Sequence, residues 1–483
     1  MMKVAACVLT FAIALSACGV TRNSAGVELE PGSFEYTKFV LEQLVQKEMN
    51  RGLPSVSLSL VKDGEIVWSD AFGYSNVGLR TKATRETIYM TASTIKSVTA
   101  TALLTLIDQG KCQLDDPVNL YLEDSEVDDR PSGSVTIRSV LNHTSGLSDE
   151  IGQSVEAAAY VWERDRPELP TLDEIVSSLK SVEPVGETWR YNNSAYGLAG
   201  LLIEKISGKS FEQYVVEHVF VPVGASATTP FSPTPEMAES MAFTYLRMED
   251  GSFVADKQRI GPLYPAGGDS RTTAEDMARF LGAHLNAGKF NGNQILSEEL
   301  VDESHVPFKG QYGLGWWVWE DDLGHSRIAH GGNWPSAVTA MVGDKTANVG
   351  AYVMTNVGQT QATFRIADAA VRLLRGEEVS IDGPEAVELA EDHLRKFAGK
   401  YDQADGLRIS IEFSEGALKY VYPSFEPFNG IVYTYLAKSD YRFFEPDIGT
   451  ELLFSENEEG NVDGFQLTQH GFLDYGYARR VSE

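Results

Sequence analysis

Ile88-Tyr89-Met90-Thr91-Ala92-Ser93-Thr94-Ile95-Lys96 is the stretch that decides the fold: an apolar entry, then serine and lysine three residues apart. A helix pattern runs from Ser93 to Gln109, with Ile95, Val98, Leu103, Leu106 and Ile107 inward and Gly110 beyond its end. Residues three apart on a helix share a face, with Cβ atoms about 5–6 Å apart. Ser93 and Lys96 are therefore expected to meet. A serine hydroxyl is a weak nucleophile, and a close lysine helps it either by accepting its proton when neutral or by stabilising the alkoxide when charged. The plain alternative is a serine cap with an exposed lysine.

The spacing does not select itself, because Ser59…Lys62 and Ser177…Lys180 match it too. Ser59 and Lys62 fall on a strand, where an odd separation sends side chains to opposite faces. Ser177 lies among charged residues and reads as solvated. Ser93 alone follows an apolar strand and opens a helix, where free amides favour a developing negative charge.

Two further motifs lie downstream. Tyr191-Asn192-Asn193 precedes a helix over 195–206; a tyrosine beside positive charge loses its proton more easily and can serve as base, and Asn193 can hold a substrate amide while bonding the lysine. His330-Gly331-Gly332-Asn333 is followed by alternation over 337–342. Paired glycines let a substrate backbone approach a strand edge, and the amides of Asn333 and Ser93 are candidates for an oxyanion hole. Taken alone, that segment reads equally as a hairpin turn with a surface histidine.

Further out, Val56, Leu58 and Leu60 alternate, Asp63-Gly64 supplies a tight turn, and 66–72 returns as a second strand after a helix over 34–49. Residues from Leu120 to about Ile260 read as a mostly helical insertion forming its own lobe. After a helix opening at Thr273, strands are expected over 312–319, 337–342 and 350–354, then a helix over 361–374. First and last strands are expected to share one sheet. Beyond an acidic linker, strands over 407–413, 417–421, 432–437, 441–444, 451–455 and 465–469 imply a small antiparallel barrel or sandwich.

With 483 residues, 43% of them apolar and 23% charged, two globular units are expected. A net charge of -29 repels phosphate backbones, so nucleic acid is excluded as a partner. Lys3, the apolar run 5–15 and Leu15-Ser16-Ala17-Cys18 read as a signal peptide too short to span a membrane, and its end resembles a bacterial lipobox. That resemblance implies lipid on Cys18, with the membrane reached through the anchor alone, in the bacterial cell envelope on the periplasmic side of the outer membrane. Cys7 then leaves with the signal, and Cys112 stands as a packed, inert thiol. There is no G-x-S-x-G, H-E-x-x-H, paired C-x-x-C or P-loop. No cofactor and no metal are expected.

S-x-x-K, Y-x-N and H-x-G in this order resemble the serine β-lactamase-like family, which includes class C β-lactamases, penicillin-binding proteins, D-amino-acid peptidases and certain esterases. Leu114-Asp115-Asp116-Pro117-Val118, Leu141-Asn142-His143-Thr144-Ser145-Gly146-Leu147, Pro265-Ala266-Gly267-Gly268 and Tyr312-Gly313-Leu314-Gly315-Trp316 add to the likeness, which spans roughly 34 to 375. It implies an α+β, β-lactamase/transpeptidase-like fold: an antiparallel sheet flanked by helices plus a helical lobe. The expected organisation is signal peptide 1–17, tether 18–32, hydrolase domain 33–376, linker 377–388 and a lipocalin-like barrel 389–483. The implied chemistry is an acyl-enzyme on Ser93, with Lys96 and Tyr191 moving its proton and Asn193, His330, Gly332 and Asn333 holding substrate and charge. The substrate is a small peptide, ester or lactam, with D-peptidase or esterase activity ahead of β-lactamase and of a weakly catalytic, penicillin-recognising receptor. Histidine at 330, where class C β-lactamases usually carry lysine, leans away from dedicated antibiotic hydrolysis, and Ser336-Ala337 departs from the family's usual glycine and aromatic. His143 is expected to bond a nearby loop rather than react.

Overall fold

The Asp63-Gly64 turn closes the first hairpin of a seven-stranded antiparallel sheet; both residues take positive φ, 52° and 76°, the backbone that a two-residue hairpin turn demands. The computed structural model describes residues 21–22, 28–122, 125–129, 133–149, 172–225, 239–248, 252–256, 264–268, 270–309, 311–358, 360–381, 386–403, 408–421, 432–446, 449–469 and 473–481. Cys18, the signal segment 1–17 and most of the tether lie outside them, as do residues 382–385 of the expected linker.

The sheet is built from β1 (Ser55–Lys62), β2 (Glu65–Asn76), β3 (Thr81–Lys82), β4 (Trp317–Glu320), β5 (Ser326–Trp334), β6 (Ala337–Asp344) and β7 (Val349–Thr355). Their order is β4-β5-β6-β7-β1-β2-β3, so the first and last strands share one sheet through the β7–β1 pair, Val349 opposite Lys62 and Thr355 opposite Val56. Helices α1 (Phe34–Asn50) and α5 (Ala362–Leu374) cover one face, and α4 (Ala274–Leu285) the other, with α2 (Ile95–Asp108) and α3 (Asn193–Ser207) packed together beyond it. Period-two alternation divides β7 between the faces: Val349, Ala351 and Val353 join the cluster of α1 and α5, while Tyr352 and Met354 join that of α2 and α4. Both β6 and β7 are buried along their whole length, as strands covered on both faces must be.

A charged knot ties β5 and β6 to α5. Arg375 bonds Asp321 at 2.6 Å and Asp344 at 2.8 Å, and Arg327 bonds Asp321 and Asp368. Burial alone would raise the Asp321 carboxyl, but the hydrogen bonds it accepts, Arg375's first, hold it below the usual carboxylate range.

The expected insertion is helical in its described parts, with Ile137–Leu141, Leu172–Ser178, α3 and Phe211–Val215, and carries a small hairpin, Tyr245–Arg247 with Phe253–Ala255. One strand is shorter than expected. Only 317–320 pairs as β4, because Gly315 at φ 86° turns its backbone against α2, where an added Cβ would lie 2.6 Å from Ala100 Cβ.

The C-terminal strands close into a barrel, which removes the sandwich alternative. They are β8 (Gly399–Asp402), β9 (Arg408–Ser414), β10 (Ala417–Val421), β11 (Val432–Ala437), β12 (Arg442–Phe444), β13 (Thr450–Glu456), β14 (Val462–Gln469) and β15 (Leu473–Arg480), sealed by Tyr401 opposite Arg480. Rings of Phe397, Tyr401, Phe443, Phe454 and Phe465 pack on one another in its core. Arg365 on α5 joins the two units, donating to Pro446 O at 2.8 Å while pairing with Glu48 on α1.

Candidate active site

Ser93 does not sit in the α-helix that the sequence suggested. It occupies a single 3-10 turn, Ala92–Thr94, and α2 begins after it. Ala92 takes φ 46°, a left-handed value that L residues hold only under constraint. The constraint is visible on both sides: Thr91 N–H donates to Ser270 O at 2.9 Å, and the Thr94 and Thr339 hydroxyls both donate to Thr91 O at 2.7 Å. Thr91 and Thr94 occupy the cap positions without side-chain cap bonds, so Ser93 is not the cap serine of the plain alternative.

Lys96, one turn on, is fully buried. Its Nζ lies 3.2 Å from Ser93 Oγ and 2.8 Å from Asn193 Oδ1, and it also donates to Gly267 O. Asn193 Oδ1 and Gly267 O can only accept, so they take two N–H bonds and aim another position of the nitrogen at Ser93. That position is an N–H in the ammonium and the lone pair in the neutral amine, so the same geometry serves both states. Of the rival spacings, Ser59 Oγ bonds Ser69 Oγ at 2.8 Å, and Ser177 bonds Glu174 O on a helix that ends before Lys180.

Asn193 is the first residue of α3, whose start is capped twice. Asn192 Oδ1 accepts from Ala195 N–H at 2.7 Å, and Asp149 Oδ1 accepts from Ser194 N–H at 2.9 Å and from the Ser194 hydroxyl at 2.7 Å. The Tyr191 ring centroid lies 5.0 Å from Lys96 Nζ.

His330, Gly331, Gly332 and Asn333 lie within β5, not on a hairpin turn; the turn follows at Pro335-Ser336. Gly332 packs against the turn that carries the serine: an added Cβ would stand 2.3 Å from Thr339 Oγ1, 2.5 Å from Thr91 O and 2.9 Å from Ala92 Cβ. At Gly331 it would stand 2.7 Å from the Phe364 ring. Ser93, Tyr191, Asn193, His330, Gly332 and Asn333 all border one cavity of about 400 Å³. Its other walls include Trp189, Trp317, Trp334 and Phe364.

The protonation state of His330 is set by its surroundings. The ring is buried, Nε2 is 2.9 Å from Tyr312 OH and Nδ1 is 2.7 Å from Gly331 O. Burial, and then the nearby Lys96, push it down to about 3, so it is neutral at neutral pH. Cys112 is buried too, and desolvation pushes its thiol up to about 12. No group of three or more His, Cys, Asp or Glu side chains among the described residues could hold a metal ion.

Sequence reasoning left Gly267 and Asp149 without roles. Gly267 entered only as part of the Pro265-Ala266-Gly267-Gly268 likeness, and a carbonyl acceptor has no residue type of its own. Asp149 lies 44 residues before Asn193, and only the fold makes it a cap.

Comparison with known proteins agrees with this architecture. Protein flp of Staphylococcus aureus (strain MW2) is 24% identical over 331 residues, 66% of this chain, and the match spans 62% of flp, short of two thirds of that relative's length. The octameric penicillin-binding protein homologue from Pyrococcus abyssi superposes with a TM-score of 0.61 at 22% identity, over 92% of this chain and 99% of that one. The D-amino acid amidase from Ochrobactrum anthropi SV3, solved with L-phenylalanine amide, gives 0.58 at 22% over 71% of this chain and 98% of that one. The Beta-lactamase family model matches residues 41–375, more than half of the sequence, and the chain belongs to that family.

Proposed function

We propose that the protein is a serine hydrolase that cleaves amides or esters of small acyl groups that carry no negative charge, through an acyl-enzyme on Ser93. One observation carries the reading: Lys96 Nζ, held by Asn193 and Gly267 O, lies 3.2 Å from a serine oxygen that opens on a cavity. Ser93 Oγ bonds to the substrate carbonyl carbon while its proton passes to the Lys96–Tyr191 pair. The tetrahedral oxyanion is met by the amides of Ser93 and Asn333. The proton then goes to the leaving nitrogen or oxygen as its bond to carbon breaks, and water releases the acid by the reverse path. Aromatic walls at Trp189, Tyr191, Trp317, Trp334 and Phe364 and a neutral His330 favour an apolar acyl group over an anionic one. The amidase neighbour solved with L-phenylalanine amide supports an amide reading, and D-aminoacyl amides come first among its candidates.

The cellular setting proposed with this is the bacterial envelope, the chain tethered through lipid on Cys18, on the periplasmic side of the outer membrane. The leader sequence supports it.

The test is a panel of D-alanyl anilide, short-chain nitrophenyl esters and a chromogenic cephalosporin, each with wild type and Ser93→Ala, together with fluorophosphonate labelling. Turnover of anilide or ester, and a label, both lost in Ser93→Ala, are expected. A wild-type protein that takes no label and turns over none of the three refutes the reading.

A further inference from the structure

We propose that His143 is the positioning residue for Tyr191, holding its backbone from both sides and its ring from behind; this rests on the reading of Tyr191 as the proton-moving partner of Lys96. The backbone carbonyl of His143 accepts from Arg190 N–H at 2.9 Å, and its Nδ1 accepts from Asn192 N–H at 3.1 Å. One residue thus clasps the chain immediately before and immediately after the tyrosine. The imidazole also lies against the tyrosine, with ring centroids 4.4 Å apart and planes at 38°. Lys96 sits over the same tyrosine ring at 5.0 Å.

Three features mark this as more than loop packing. His143 holds φ 61°, a left-handed conformation that a β-carbon resists, and it does so where its carbonyl and its ring both reach the 190–192 segment. Because Nδ1 accepts, the ring proton is on Nε2, so the tautomer is fixed by the bond to Asn192. That Nε2–H is buried without a hydrogen-bond partner among the described residues, in a box of Tyr191, Tyr196, Tyr312 and Trp189 rings. Burial, then Lys96, then His330 hold the ring well below its ordinary range. A neutral ring sits next to the lysine without repelling it, and the site keeps one cation. Tyr312 touches both histidine rings, 4.8 Å from that of His143 and hydrogen-bonded to that of His330, so the clasp and the cavity wall are one packed unit.

Asparagine and glutamine separate the clasp from bulk. Asn places an amide oxygen where Nδ1 stands and tolerates left-handed backbone, whereas Gln moves its polar atoms outward and does neither. In hydrolysis of 4-nitrophenyl acetate, His143→Gln and His143→Ala should lose kcat by about 10²-fold, the scale of an Å-sized misplacement. KM should stay within about threefold, and His143→Asn should recover kcat to within about fivefold of wild type. The basic limb of the pH profile should move in Gln and Ala and return in Asn. In a Tyr191→Phe background, His143→Ala should cost almost nothing more.

The proposal falls if Asn and Gln behave alike, if kcat and the pH limb are untouched in all three variants, or if the losses of His143→Ala and Tyr191→Phe simply multiply. The Asn and Gln pair decides even where His143→Ala does not fold. Full turnover in Tyr191→Phe would instead sink the reading of the tyrosine, and failure of Ser93 to take a fluorophosphonate label would sink the hydrolase reading itself.

Discussion

Take the protein from pH 7.5 to pH 4.5. His284 and His330 are buried and uncharged, each pushed down to about 3, His284 by burial and then Lys345, His330 by burial and then Lys96. Burial first, and then neighbouring positive groups, holds His143 and His305 well below their ordinary range in the same way. Each binds a proton in the unfolded chain near pH 6.5 that the folded state refuses until much lower pH. Their contribution is therefore complete above pH 6.5 and declines as pH falls, by about 1.4 kcal/mol per unit for each histidine. Two units below 6.5, His284 and His330 alone cost about 5 kcal/mol, against a typical domain stability of about 5–15 kcal/mol, and His143 and His305 add to the loss in the same direction. The first domain should lose its urea resistance progressively as pH falls below 6.5. Tryptophan fluorescence reads this domain alone, because all seven tryptophans, the last being Trp334, precede the barrel. His284→Leu removes one titrating ring, and Thr101, which bonds it, keeps its bond to Ser97 O. The slope of stability against pH should then fall by about 1.4 kcal/mol per unit. An identical slope in wild type and His284→Leu, or a flat profile down to pH 5, refutes the reasoning.

Gly332→Ala forces a carbon against Thr339 and the Thr91 carbonyl; it should destabilise by about 1–3 kcal/mol in urea titrations and depress turnover as the strand lifts from the serine turn. Asn193→Leu removes one of the oxygens that orient Lys96 and should reduce kcat by about 10²-fold or more, with KM changed far less, in steady-state kinetics. Arg375→Met leaves Asp344, fully buried, and Asp321 without their shared cation and should cost about 3–5 kcal/mol by the same fluorescence titration. Ser177→Ala and Lys180→Ala should leave turnover at wild-type level, since that spacing does not share a helix face; a marked loss in either would count against the assignment of Ser93.

Much of the fold follows from local signals. Asp63-Gly64 between alternating residues specifies the first hairpin, and the apolar periodicity after Lys96 specifies α2. Two barrel strands escaped: β8 is four residues with Lys400 and Asp402, and β15 interrupts its alternation with Asp474, Gly476 and a terminal Arg479-Arg480. They pair because the barrel needs them, not because their own sequence insists. In the site, residue types were legible and states were not. His330 was visible as a histidine, but its neutrality comes from burial and from Lys96, which the fold brings near it from far along the chain. The 3-10 turn at Ser93 was hidden for a similar reason: its left-handed Ala92 is held by Ser270 and Thr339, from distant parts of the chain.

The pairing of β1 with β7 also sets an order on biosynthesis. Lys62 finds Val349 only after the 286 intervening positions have been made, which at about 5–20 residues per second leaves the edge of β1 open for about 15–60 s. Until Gly332 and Thr339 have been made, the serine turn lacks the β5 glycine and β6 threonine that brace it, so a chain shorter than that cannot hold the turn in its finished form. An apolar strand edge open for that long is a template for pairing with another nascent chain, and the burden of keeping it apart falls on whatever binds the polypeptide before residue 355 emerges.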